Sequence, residues 1–137
     1  MTGVTKIAEN ARKTILVIDD SSEMLTIITA VLRDRYQLKV SKTGARGLQL
    51  AQMQPQPDLI LLDYLMPEMN GDDVCRQLKS NPLTSAIPVV FLTAASEQST
   101  QTYLLACGAV DLISKPIDVA LLINLVALYL NPPQSAS

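Results

Sequence analysis

Apolar positions along the chain follow two alternating patterns. Short unbroken runs at 14–18, 59–62 and 89–92 read as strands buried on both faces, with weaker runs at 36–40 and 110–113. Between them the spacing turns helical. Leu25, Ile28 and Leu32 recur on one face after Ser21 or Ser22, either of which can cap the helix. A short helix over 44–53 carries Leu48 and Ala51 and is broken by Pro55 and Pro57. A third, over about 72–79, turns Val74 and Leu78 inward and ends at Asn81-Pro82. A fourth, over about 97–107, stops at Gly108, a left-handed terminator. The last covers about 118–130.

Strand and helix therefore alternate five times, which predicts an α/β fold with a five-stranded parallel sheet and helices on both faces. Ligands in such sheets bind beyond the carboxyl ends of the strands. Those ends carry chemistry here: Asp19 and Asp20 after the first strand, Asp63 after the third, Thr93 after the fourth and Lys115 after the fifth. Asp63 is the most telling. It closes a run of four apolar residues and precedes a turn holding Pro67, Asn70 and Gly71, yet an unpaired buried charge is costly.

Composition narrows the chemistry. The 137 residues suit one domain, expected at 14–130 between a flexible arm at 1–13 and a flexible tail at 131–137. Net charge is −2, with no basic patch or recognition-helix pattern, so direct nucleic-acid binding is not expected. No apolar run reaches the roughly 18 residues of a membrane span, and no secretory core opens the chain, so a cytoplasmic location is expected. Histidine is absent, which excludes imidazole chemistry on this chain. Cys75 and Cys107 lack metal-type spacing and read as small buried hydrophobes.

Three converging carboxylates repel one another unless a cation intervenes. With only oxygen donors at hand that cation is hard, Mg²⁺ first and Mn²⁺ as an alternative. A carboxylate beside it can attack a phosphoryl group, with Lys115 offsetting charge and Thr93 donating a hydrogen bond. Each residue alone has a plainer reading. Asp19-Asp20 could complement a helix dipole, Asp63 could form a turn, Thr93 could be a cap and Lys115 a solvated surface lysine. Their joint occurrence at successive strand ends favours the functional reading.

From about residue 14 to 130 the chain resembles the receiver domain of the bacterial two-component response-regulator family. The resemblance lies in Ile18-Asp19-Asp20, in Asp63 followed by Met66-Pro67-Glu68-Met69-Asn70-Gly71, in Phe91-Leu92-Thr93-Ala94 and in Ser114-Lys115-Pro116. It implies a flavodoxin-like (βα)5 fold with strand order 2-1-3-4-5. It also implies that Asp63 accepts a phosphoryl group from a phosphohistidine on a sensor histidine kinase or phosphotransfer protein. Asp19, Asp20, Asp63 and the backbone carbonyl of Leu65 would hold the metal. Thr93 would move towards the acyl phosphate, Lys115 would pair with Asp63, and the Lys115–Pro116 bond would be cis. Such a domain is a phospho-acceptor, not an enzyme acting on outside substrates.

Departures from the family pattern are specific. Leu112 stands where an aromatic residue usually couples the threonine to the surface. Leu65 and Ala95 are apolar where polar groups are frequent, which alters water access to an acyl phosphate. The last helix carries two apolar stripes: Leu122, Val126 and Tyr129, and beside them Leu121, Leu125 and Leu128. One stripe suffices to cover a sheet, so the second is read as an interface for a homodimer or a neighbouring domain. Output then runs through a downstream protein or a fused domain. Two rivals remain. One is a receiver-like interaction scaffold that works without phosphorylation, for which Leu112 argues. The other is a hydrolase on the same fold, which lacks a general acid and a nucleotide loop here.

Overall fold

The computed structural model describes residues 12–131; the expected arm and tail fall almost wholly outside them. Ten elements alternate in chain order. They are β1 (Thr14–Ile18), α1 (Ser22–Leu32), β2 (Gln37–Ser41), α2 (Gly44–Gln52), β3 (Leu59–Asp63), α3 (Gly71–Ser80), β4 (Val89–Thr93), α4 (Gln98–Ala106), β5 (Asp111–Ser114) and α5 (Val119–Leu130). All neighbouring strands pair in parallel, in the order β2-β1-β3-β4-β5. The expected α/β fold and strand order are both present, and helix ends fall within a residue or two of their sequence positions.

Each of the central strands β1, β3 and β4 feeds two cores because successive side chains point to opposite faces. Ile15, Val17, Leu59, Leu61, Val90 and Leu92 pack under α1 and α5. Leu16, Ile18, Ile60, Leu62, Val89 and Phe91 pack under α2, α3 and α4. That double coverage explains why β1, β3 and β4 are apolar without alternation. β2 and β5 lie at the sheet edges and are only half-buried, which is why their sequence signal is weaker.

The helix ends have local causes. The Ser21 hydroxyl accepts from the Met24 amide and so caps α1. The Thr43 and Asp118 side chains do the same for α2 and α5. Gly108 follows α4 with φ of 112°, as its terminator role requires. Of the two cysteines, Cys75 is buried in the second core but Cys107 is only half-buried, because it caps the C-terminus of α4.

The last helix corrects one reading. Leu125 is not part of an exposed stripe; it is 9% exposed and belongs to the core with Leu122, Val126 and Leu130. α5 lies deep enough to bury two adjacent columns of side chains, and full burial of one leucine contributes about 1.5–3 kcal/mol. Leu121 and Leu128 do remain exposed, at 49% and 56%.

Candidate functional site

The strand register sets the site. Ile18 pairs with Leu62, Asp63 with Leu92, and Thr93 with Ser114, so the carboxyl ends of β1, β3, β4 and β5 finish along one rim. Asp19 follows β1, Asp63 ends β3, Thr93 ends β4 and Lys115 follows β5. Asp19, Asp20, Asp63, Thr93 and Lys115, the strand-end residues expected to form the site, line a single cavity of about 690 Å³, together with Leu65.

Its charged part is tightly organised. Asp19 is fully buried, Asp63 nearly so, and Asp20 is exposed at the mouth. Carboxylate oxygens of all three lie within 4.8 Å of one another. The Lys115 ammonium donates to Asp19 Oδ2 at 3.1 Å and to Asp63 Oδ1 at 3.0 Å. Asp19 Oδ1 accepts from the Ser21 amide at 2.9 Å, and the Asp19 amide donates to the Ser41 carbonyl. These bonds fix the buried carboxylate from both sides.

Burial pushes the Asp63 carboxyl up to about 6; the Lys115 hydrogen bond opposes this and the Asp19 charge adds to it. Burial pulls the Lys115 ammonium down, but its bonds to Asp63 and Asp19 outweigh this and leave it raised. One ammonium therefore does not offset the charge that three carboxylates bring together. The donor set is all oxygen, close and partly buried, so it fits a hard divalent cation.

The turn after β3 shapes the wall beside Asp63. The Gly71 amide donates to the Tyr64 carbonyl at 2.6 Å, and the Met66 amide to Asn70 Oδ1 at 3.1 Å. Glu68 takes the left-handed conformation, with φ of 71°. A Cβ at Gly71 would collide with the Asp63 carbonyl oxygen and press on the Phe91 ring. Met66 is buried and Met69 partly so, both as packing residues. This turn leaves Leu65 66% exposed over the cavity.

On the far side the Thr93 hydroxyl accepts from the Ala95 amide at 3.0 Å. The Lys115 amide donates to the Thr93 carbonyl at 2.8 Å, and the Lys115–Pro116 bond is cis. Leu112 is half-buried and packs on the core under α4. The interface candidates Leu121, Leu125 and Leu128 are not brought to this rim. Sequence reasoning passed over Ser21, Tyr64, Ala94 and Thr100 as parts of the site. The Asp-x-Ser spacing carried a signal for the first, since an aspartate accepts readily from the amide two residues on. Ala94 enters only as part of the motif around Thr93, and nothing local marks Tyr64 or Thr100.

Comparison with known proteins gives a consistent picture. The profile of the family described as response regulator receiver domain matches residues 15–127. A probable cyclic di-GMP phosphodiesterase of Vibrio cholerae is 38% identical over 122 residues, covering 89% of this chain but 27% of that protein. Protein PilH of Pseudomonas aeruginosa is 34% identical over 113 residues, covering 82% of this chain and 93% of PilH. The signal receiver domain of a signal transduction histidine kinase from Syntrophus aciditrophicus has a TM-score of 0.79 and 32% identity, covering 91% of this chain and 97% of that one. The chain thus spans about a quarter of the length of the first curated relatives it matches, and nearly all of PilH.

Proposed function

The chain belongs to the response regulator receiver domain family, and from that premise we propose that Asp63 is its phospho-acceptor. The observation that carries this is the pair of hydrogen bonds that Lys115 donates to Asp19 and Asp63, which hold the acceptor carboxylate at the open end of the sheet. Domains of this family bind Mg²⁺ at an acidic pocket, and here Asp19, Asp20, Asp63 and the Leu65 carbonyl would hold it. When bound, the cation offsets negative charge on the phosphoryl oxygens.

The remaining work falls to side chains. An Asp63 oxygen attacks the phosphorus of a phosphohistidine on a sensor histidine kinase or phosphotransfer protein, and the imidazole leaves. Lys115 then transfers a hydrogen bond from the carboxylate to the new phosphoryl oxygens. The Thr93 hydroxyl, already oriented by the Ala95 amide, swings to donate to them. Leu112, on β5, packs against the core under α4, so this movement reaches the surface through aliphatic packing rather than an aromatic ring. The domain acts in the cytoplasm, turns over no outside substrate, and signals by protein contact with a downstream protein or fused domain.

Leu121 and Leu128 remain candidates for that contact, as a homodimer through α5. Dilution sedimentation of the phosphorylated and unphosphorylated protein tests this; a strict monomer at high concentration in both states rejects it. The acceptor assignment is tested by incubation with acetyl phosphate and Mg²⁺ followed by intact mass. One phosphoryl group is expected on the native protein and none on Asp63→Ala. A phosphorylation-independent scaffold would gain no mass, and a hydrolase would turn over an added phosphoester.

A further inference from the structure

Away from the acceptor cavity, α3 and α4 meet along a seam set by a few contacts. The Tyr103 hydroxyl donates to Asp72 and accepts from Arg76, whose guanidinium carbon lies 5.4 Å from the centre of the Tyr103 ring. One turn further along, the Cys75 thiol donates to the Cys107 carbonyl at 3.4 Å. Beyond it, a Cβ on Gly108 would come within 2.8 Å of Lys79 Cγ. Asp72, Cys75, Arg76 and Lys79 share one face of α3, and Tyr103 and Cys107 share one face of α4, at the spacing that stacks side chains along a helix. We propose that Cys75 and Cys107 are a redox-active dithiol that closes to a disulfide and staples α3 to α4.

Three observations separate this pair from two ordinary packing residues. The first is proximity. The cysteines are 32 positions apart in the chain, yet both pack in the same apolar cluster, and the sulfur of one rests on the backbone of the other. A disulfide needs such closeness, with Cα atoms about 4.4–6.8 Å apart. The second is direction. Cys107 keeps helical dihedrals, with φ of −72° and ψ of −8°, so its side chain follows that of Tyr103 one turn before it, on the side that meets α3. The third is unequal access. Cys107 is half-buried at the helix end and Cys75 is fully buried behind it. An outside oxidant reaches the first, and the second is placed to resolve it. In a compartment that keeps thiols reduced, such a bond senses redox state and is not a permanent crosslink.

The oxidant is a low-molecular-weight disulfide of the oxidised glutathione type. The Cys107 thiolate attacks one of its sulfurs, the S–S bond breaks, and one glutathione departs as thiolate. The Cys75 thiolate then attacks the Cys107 sulfur and displaces the second glutathione. The two protons given up by the cysteines end on the two glutathiones, so two protein thiols are oxidised as one small disulfide is reduced. Burial pushes the Cys75 thiol up to about 11, which makes the second step the slow one. Closure does not depend on Asp63 being the acceptor. It acts on the two helices: α3 begins at Gly71 in the turn after Asp63, and α4 holds Gln101 against the Ala95 carbonyl. A staple between them restrains α4 relative to the acceptor turn.

The test equilibrates the native protein with oxidised glutathione, alkylates the remaining thiols in urea and reads the intact mass. The expected product has lost two hydrogens, takes up no alkylating agent, and yields a Cys75–Cys107 crosslinked peptide on digestion without reductant. Cys75→Ala should instead stop at one glutathione on Cys107, and Cys107→Ala should leave Cys75 unmodified. Because the bond closes a loop across 32 positions, the oxidised protein should melt about 10 °C above the reduced one. Two thiols that stay open to alkylation after oxidation, a glutathione adduct that persists on the native protein, or a crosslink between chains overturns the pair. So does an oxidised form that melts below the reduced one, since the bond would then fit only a distorted seam.

Discussion

Lys115 Nζ lies 3.0 Å from Asp63 Oδ1, although 52 positions separate the two residues and β4 stands between their strands. The same ammonium reaches Asp19, so one cation holds two buried carboxylates. Lys115→Ala would leave both unpaired. With 21% of the lysine side chain exposed, water recovers part of the loss, and the expected destabilisation at pH 7 without metal is about 1–3 kcal/mol. Urea unfolding checks this, and the loss should shrink at pH 4.5, where Asp63 is protonated.

The Asp63 carboxyl gives a pH dependence of defined sign. Its folded value is pushed up to about 6 from an ordinary 3.8, chiefly by burial. The folded state therefore binds this proton more tightly than the unfolded chain, and the group favours folding at low pH. Its contribution is full below the unfolded value and is lost as pH rises through the folded one. Metal needs the carboxylate, so a fixed Mg²⁺ concentration should raise the melting temperature more at pH 7.5 than at pH 5. Equal shifts at the two pH values would contradict this.

Gly71 is held by backbone, not by flexibility. A Cβ there meets the Asp63 carbonyl, which belongs to a central strand and cannot yield cheaply. Gly71→Ala should cost about 3 kcal/mol, at the upper end for overpacking, and should weaken Mg²⁺ binding by displacing the end of β3. Chemical denaturation and a metal titration on the same variant read both effects.

Much of this arrangement is visible in the chain before folding, for a physical reason. Short runs such as Leu59-Ile60-Leu61-Leu62, bounded by turn residues, read as strands covered on both faces, and a carboxylate closing one stands out as an anomaly. Parallel pairing then forces Asp19, Asp63, Thr93 and Lys115 to one edge. Depth is not visible in that way. Leu121, Leu125 and Leu128 form one stripe by spacing, yet only the seating of α5 decides that Leu125 faces the core and its neighbours face outward. Nor does spacing report that Lys115 bridges two particular oxygens, or that Gly71 abuts the Asp63 carbonyl, since both depend on tertiary contact.

Leu65 and Ala95 bear on phosphate lifetime. Hydrolysis of an acyl phosphate needs a water held in line with the bond that breaks, and Leu65 and Ala95 offer no side-chain group to hold it. Leu65→Gln should shorten the lifetime by on the order of tenfold, below the 10²–10⁴ of a positioned general base. Decay of the phosphorylated mass after donor removal measures it.

The most direct test locates the phosphoryl group itself. Borohydride reduces an acyl phosphate to an alcohol and leaves free carboxylates untouched. After phosphorylation and reduction, peptide mass mapping should find the change at Asp63 and nowhere else, and none should appear in Lys115→Ala treated for the same short time. Reduction at Asp19 or Asp20, or full labelling without Lys115, would contradict the assignment of acceptor and partner.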